Sequence, residues 1–148
     1  MPSAVDIINN LKTTLENNAA LASFCNTKWS KTLTVKKVLK KRTEITLDEF
    51  PIILITRPSV GKKSPCLGTK LRRTEQTIHL YCGFMQDDQT KSLDEIIEFE
   101  ELLDDVLMLD PKRGGAATSS KIENSVNDEG IFHPVYFFVM DVVIEFQR

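Results

Sequence analysis

Apolar residues recur at helical spacing at the start of the chain. Ala4, Ile8, Leu11 and Leu15 follow one another at intervals of four, three and four, and polar residues fill the intervening positions. Such spacing puts them on one face of an amphipathic helix. Ser3 followed by Asp6 predicts a capping box at its start, and Asn17-Asn18 marks its weakening, with a second short helical turn over 19–24. From Trp29 the period falls towards two. Leu33, Val35 and Leu39 alternate with polar residues, and "PIILITRP" follows a polar connection, predicting solvated antiparallel strands over roughly 32–40 and 50–57. "EITL" within that connection extends either strand, and Pro51 marks a strand start or an edge.

The segment 57–73 carries two prolines, two glycines and six basic residues with no acidic one, and reads as one long irregular loop. Strict alternation resumes in "TEQTIHLYCGF", a half-buried strand. A second helix follows "MQDDQTK". Ser92 and Glu95 fit a capping box, and Ile96, Phe99, Leu103, Val106 and Leu107 share its apolar face, with Glu98, Glu101, Asp104 and Asp105 outside it. Asp110-Pro111 ends this helix. Two further strands are predicted over roughly 118–126 and 134–147. In the last, Tyr136, Phe138, Met140, Val142, Ile144 and Phe146 point one way, and Val135, Phe137 and Val139 make the other face apolar as well. A strand apolar on both faces is central and covered twice over its first half. The order α-β-β-β-α-β-β gives one α+β domain over 1–148: an antiparallel or mixed sheet with two amphipathic helices packed on it.

Composition changes this picture little, and charge changes it more. A chain of 148 residues with 41% hydrophobic and 27% charged residues is that of an ordinary globular domain. No apolar run approaches the ~20 residues that cross a bilayer, and "MPSAVDIINN" lacks the pattern of a signal peptide. The expected location is the cytoplasm, and Cys25, Cys66 and Cys82, far apart and odd in number, read as free thiols. Net charge is −2, yet residues 1–73 carry +9 and residues 74–148 carry −11. Two readings are open: the blocks face each other within one subunit, or they attract the next subunit head to tail.

Candidate chemistry is sparse. His79 and His133 have no His, Cys or carboxylate at a metal-ligand spacing, and no P-loop, G-x-G-x-x-G or G-x-S-x-G occurs. The expectation is therefore no catalytic residue, no metal and no cofactor. The acidic groups Asp87-Asp88 and Asp94 to Asp105 read as solvated surface. Basic stretches Lys36 to Arg42 and Lys62 to Arg73 suit nucleic-acid phosphates, but without interleaved aromatics to stack bases. In "DPKRGGAA" the glycines come after a helix, not before one, so they do not cradle a phosphate. Lys112-Arg113 instead complement the negative end of the helix dipole, and Gly114-Gly115 permit the chain to turn back to the sheet.

The block "SLDEIIEFEELLDDVLMLDP", "KRGGAATSSKIEN" and "PVYFFVMDVVIEF", residues 92–147, resembles the tail terminator (tail completion, minor tail) proteins of long-tailed bacteriophages and prophages. The amphipathic first helix followed by a β-rich stretch and a variable loop is similar too. The resemblance implies a non-enzymatic structural protein that forms a ring, commonly a hexamer. Such a ring caps the tail tube, stops its polymerisation and joins it to the head. The partners implied are further copies of the chain, the tail-tube protein and head-tail connector proteins, with DNA only as cargo in the lumen and no membrane. The locations implied are the host cytoplasm during assembly and then the virion tail. Candidate contacts are Lys62, Lys63, Lys70, Arg72 and Arg73 on one side and Glu98, Glu101, Asp104 and Asp105 on the other. The alternatives are a head-tail connector or neck protein, and a small nucleic-acid-binding protein using the basic strand and loop.

Overall fold

A computed structural model describes residues 3–38, 44–63 and 73–147, with side chains for all of these except 58–63, 73 and 147. Among the described residues, three helices cover one face of a five-stranded mixed sheet. The helices are α1 (Ala4–Asn17), α2 (Ala19–Trp29) and α3 (Gln89–Met108). The strands are β1 (Thr34–Lys36), β2 (Ile52–Lys63), β3 (Arg73–Met85), β4 (Ser119–Asn127) and β5 (Val135–Gln147), in the spatial order β1-β2-β3-β5-β4. The α+β class holds.

Ser3 caps α1 as its sequence predicts: its hydroxyl accepts from the Asp6 N–H, and the Asp6 carboxylate accepts from the Ser3 N–H at 2.9 Å. These bonds hold the Asp6 carboxyl below its usual range. The buried stripe of α1 centres on Ile7, Leu11 and Leu15, with Ala4 and Ile8 at its margin. Residues 19–24 are no isolated turn. They open a full helix, because Asn18 both ends α1 and caps α2 through its side chain on the Leu21 N–H.

Of the strand expected over 32–40, Thr34–Lys36 forms β1 and pairs with β2 in parallel, not antiparallel, while Leu39 and the basic residues Lys40 to Arg42 lie outside the described residues. The "EITL" segment extends neither strand, for Leu47–Glu49 form a 3₁₀ turn in which Thr46 and Glu49 bond each other reciprocally. Phe50 and Ile45 then lie on the sheet face opposite the helices, and this connection brings the chain back to start β2 alongside β1. Pro51 does immediately precede a strand. The loop expected over 57–73 is strand at both its ends, and residues 64–72 lie outside the described residues. β2 runs on to Lys63 and β3 begins at Arg73, paired in register from Ser59↔Thr77 to Lys63↔Arg73 past a bulge after Thr56. Backbone pairing thus overrides the proline and glycine that suggested a loop.

β5 is central, between β3 and β4, and its six residues from Tyr136 to Phe146 on the helix-facing side are all buried. They meet Ile78, Leu80, Cys82 and Phe84 of β3 and Phe99, Leu103 and Val106 of α3 in one core. A ring cluster locks α2 to α3 and to the sheet. Trp29 stacks on Phe84 with centroids 4.6 Å apart, and Phe24 meets Phe99 edge-on at 5.6 Å. The opposite sheet face holds a smaller cluster of Phe50, Ile52, Leu54 and Phe137.

Candidate assembly surface

The helix α3 carries the acidic candidates, and its start differs from expectation. Asp88, not Ser92, is the N-cap, its carboxylate accepting from the Thr90 N–H at 3.0 Å. The Thr90 hydroxyl and N–H hold the Asp88 carboxyl below its usual range. Ser92 lies inside the first turn and donates to the Gln89 carbonyl. Glu95 turns inward and is only 5% exposed. Its carboxylate accepts from the Trp29 indole N–H at 3.0 Å and from the Gln86 amide at 2.8 and 2.9 Å. A buried carboxylate so bonded ties α3 to α2 and to the end of β3.

At the other end, α3 closes on Arg113, which is 1% exposed. Its guanidinium donates to the Leu107 carbonyl in the last turn of the helix and to the Asp110 carbonyl beyond it, which also accepts from the Arg113 N–H. Burial pulls the Arg113 pKa down, and the charge of Asp110 opposes that pull. Gly114 and Gly115 take φ of 68° and 88°, and the Gly114 N–H donates to the Asp110 carboxylate at 2.6 Å. "DPKRGGAA" is a helix stop with a buried arginine at its centre.

The outward face of α3 follows directly from helical spacing. Leu93, Ile97, Glu101, Asp104 and Met108 recur at intervals of four, four, three and four, and all five are exposed. Leu93 is 59% and Ile97 42% exposed. Asp94, Glu98 and Asp105 flank the stripe and are exposed too. Glu98 is engaged inside the subunit, accepting from Lys28 at 2.9 Å, and this contact raises the Lys28 pKa. Here basic and acidic blocks do face each other. Glu101, Asp104 and Asp105 make no ion pair among the described residues. Leu93 and Ile97 are absent from the sequence-derived candidates. On a helical wheel Ile97 falls about 140° and Leu93 about 100° from the Phe99–Leu103 direction, both off the buried stripe, and that was the signal for them.

The basic candidates fare differently. Lys62, Lys63 and Arg73 are strand residues, with Lys63 directly opposite Arg73. Lys70 and Arg72 lie outside the described residues, as does Cys66. Cys25 and Cys82 are buried free thiols; burial pushes Cys25 up to about 12 and Cys82 well above its usual value.

His79 and His133 each find a partner that sequence spacing hides. His79 Nε2 lies 2.9 Å from the Asp141 carboxylate across the β3–β5 pair, and His133 Nδ1 lies 2.6 Å from the Tyr136 hydroxyl. No group of three or more His, Cys, Asp or Glu able to hold a metal occurs among the described residues. A cleft of about 310 Å³ opens beside Trp29, lined by Lys28, Lys31, Phe50, Met85 and Gln86 among others. Among the described residues no helix is long and apolar enough to cross a membrane. No protein-family model matches the chain, and no curated protein matches it.

Proposed function

We propose that this chain is a structural, non-enzymatic subunit of a ring-forming tail terminator, capping the tail tube of a phage or prophage and joining it to the head. It would act in the host cytoplasm during assembly and then in the virion tail. The observation that carries the reading is the outward face of α3, where Leu93 and Ile97 stand exposed in line with Glu101, Asp104 and Asp105, which make no ion pair among the described residues. Exposed apolar side chains in a row, rimmed by charge, suit contact with another protein. The resemblance of residues 92–147 to tail terminators gives that contact a context, since α3, its arginine stop and the β4–β5 pair form one continuous unit. A head-tail connector or neck protein is the neighbouring reading, which the same exposed face would also suit. Nucleic-acid binding is less favoured, because the basic stretches carry no interleaved aromatics on which bases would stack, and Lys36 already meets Glu49.

Native mass spectrometry across concentrations, with negative-stain microscopy in the presence of tail-tube protein, tests this. Rings, alone or seated at tube ends, are the expected outcome. A protein that stays monomeric at high concentration, with and without the tube protein, removes the reading.

A further inference from the structure

A second surface complements the face of α3. Val5 and Ile8 of α1, Val38 after β1, and Ile55 to Arg57 of β2 line a cleft of about 250 Å³ together with Lys37. Val5 is 59% and Val38 45% exposed, so the cleft offers apolar surface to solvent. Its two cations are held by neutral amides. The Lys37 ammonium donates to the Asn9 side-chain carbonyl, and the Arg57 guanidinium donates to that of Gln76 at 3.5 Å. Neither has an ion-pair partner among the described residues. The cleft is therefore apolar with uncompensated positive charge, and the outward face of α3 is apolar with uncompensated negative charge.

The two surfaces lie towards opposite flanks of the sheet. The cleft sits on the β1–β2 side, and α3 packs against β4 and β5 on the other. One subunit cannot close this pair on itself, but successive copies can. The strand edges offer a poorer route. β4 breaks register between Ile122 and Asn124 and carries exposed Lys121 and Glu123, and β2 breaks register after Thr56 at a stretch holding Pro58, which has no N–H to give. Bulges, edge charges and proline are the features that discourage strand addition.

We infer that a second copy of this chain docks the Leu93–Ile97 face of its α3 into the Val5–Val38–Arg57 cleft, with Lys37 and Arg57 meeting Glu101, Asp104 or Asp105. The contact is heterologous, so repetition closes a ring or extends a filament. Charge complementarity fixes the orientation, and the apolar centre supplies the affinity. The inference rests on the ring reading above and names its surfaces.

Disulfide trapping tests it in a Cys66→Ser background, where Cys25 and Cys82 are buried and do not compete. Val5→Cys and Ile97→Cys are introduced singly and together, and the full-length proteins are oxidised under conditions where native mass spectrometry reports their oligomeric state. The double variant is expected to give a ladder of covalent multimers on a non-reducing gel, and the single variants to remain monomeric bands. Adding Arg57→Glu to the double variant is expected to abolish the ladder. Covalent dimers from either single variant would mean a two-fold contact and overturn the proposal. Native oligomers without a ladder from the double variant would overturn these surfaces and leave the ring reading standing. Monomers throughout, even with tail-tube protein, would remove both.

Discussion

The two faces of the sheet are buried by different means. On one, three helices lay Ile7, Leu21, Phe99 and Leu103 over the alternate residues of β2, β3 and β5, making one continuous core. On the other, the burial is local. The connection before β2 brings Phe50 over Phe137, ring centroids 5.6 Å apart, at one end of the strands. Beyond that cluster the same face is mostly polar, with Thr56, Thr77, His79 and Asp141 around a single buried valine, Val143. The first face makes the fold, and the second fastens one connection to it. Exposed apolar surface on α3 answers to neither, which is why it is read as a contact with another molecule.

The contrast can be broken by four substitutions, read by denaturant unfolding. Phe99→Ala, at the meeting point of Phe24, Trp29 and Phe138, should cost about 4–5 kcal/mol, the upper part of the range for a buried aromatic. Phe137→Ala should cost about 3 kcal/mol, because fewer neighbours close on the gap. Equal costs would mean that the second cluster is as much a core as the first. Gly83→Ala probes the small cluster alone. A Cβ there would lie 2.7 Å from Phe137 Cε1 and 2.9 Å from Phe50 Cε1. Overpacking of this kind costs about 1–3 kcal/mol, somewhat offset by the stiffer unfolded chain. Asp141→Asn, on the polar half, should change stability by about 0.5 kcal/mol or less, since the pair with His79 is partly exposed and 2.9 Å long.

Much of the fold was legible because periodicity reports burial. β5 reads as central from its two apolar faces, and the α3 stripe from Ile96 to Leu107 is buried as its spacing requires. The stop at "DPKRGGAA" was legible from proline and glycine chemistry. The burial of Arg113 was not, because a side chain that folds back onto carbonyls leaves no spacing signature. Glu95 shows the same limit. Its place three residues after Ser92 imitates a capping box, yet tertiary partners, Trp29 and Gln86, claim its carboxylate. The parallel pairing of β1 was hidden for a further reason: three residues leave too short a pattern for direction to be read from alternation. Of the candidate contacts, the acidic set was legible as the non-core arc of α3. The cations of the cleft were not grouped in sequence, for Lys37 and Arg57 come together only through the β1–β2 pairing.

The central claim is that the outward face of α3 serves assembly and not folding. Ile97→Lys puts a positive charge in that face, where the proposed partner surface is itself positive. The substitution is 42% exposed and outside the core, so stability should move by no more than about 0.5 kcal/mol. Native mass spectrometry of Ile97→Lys beside the unaltered protein, at matched concentration and with tail-tube protein present, is the direct measurement. The account predicts oligomers from the unaltered chain and folded monomers from the variant. An unchanged oligomer mass for the variant would contradict it.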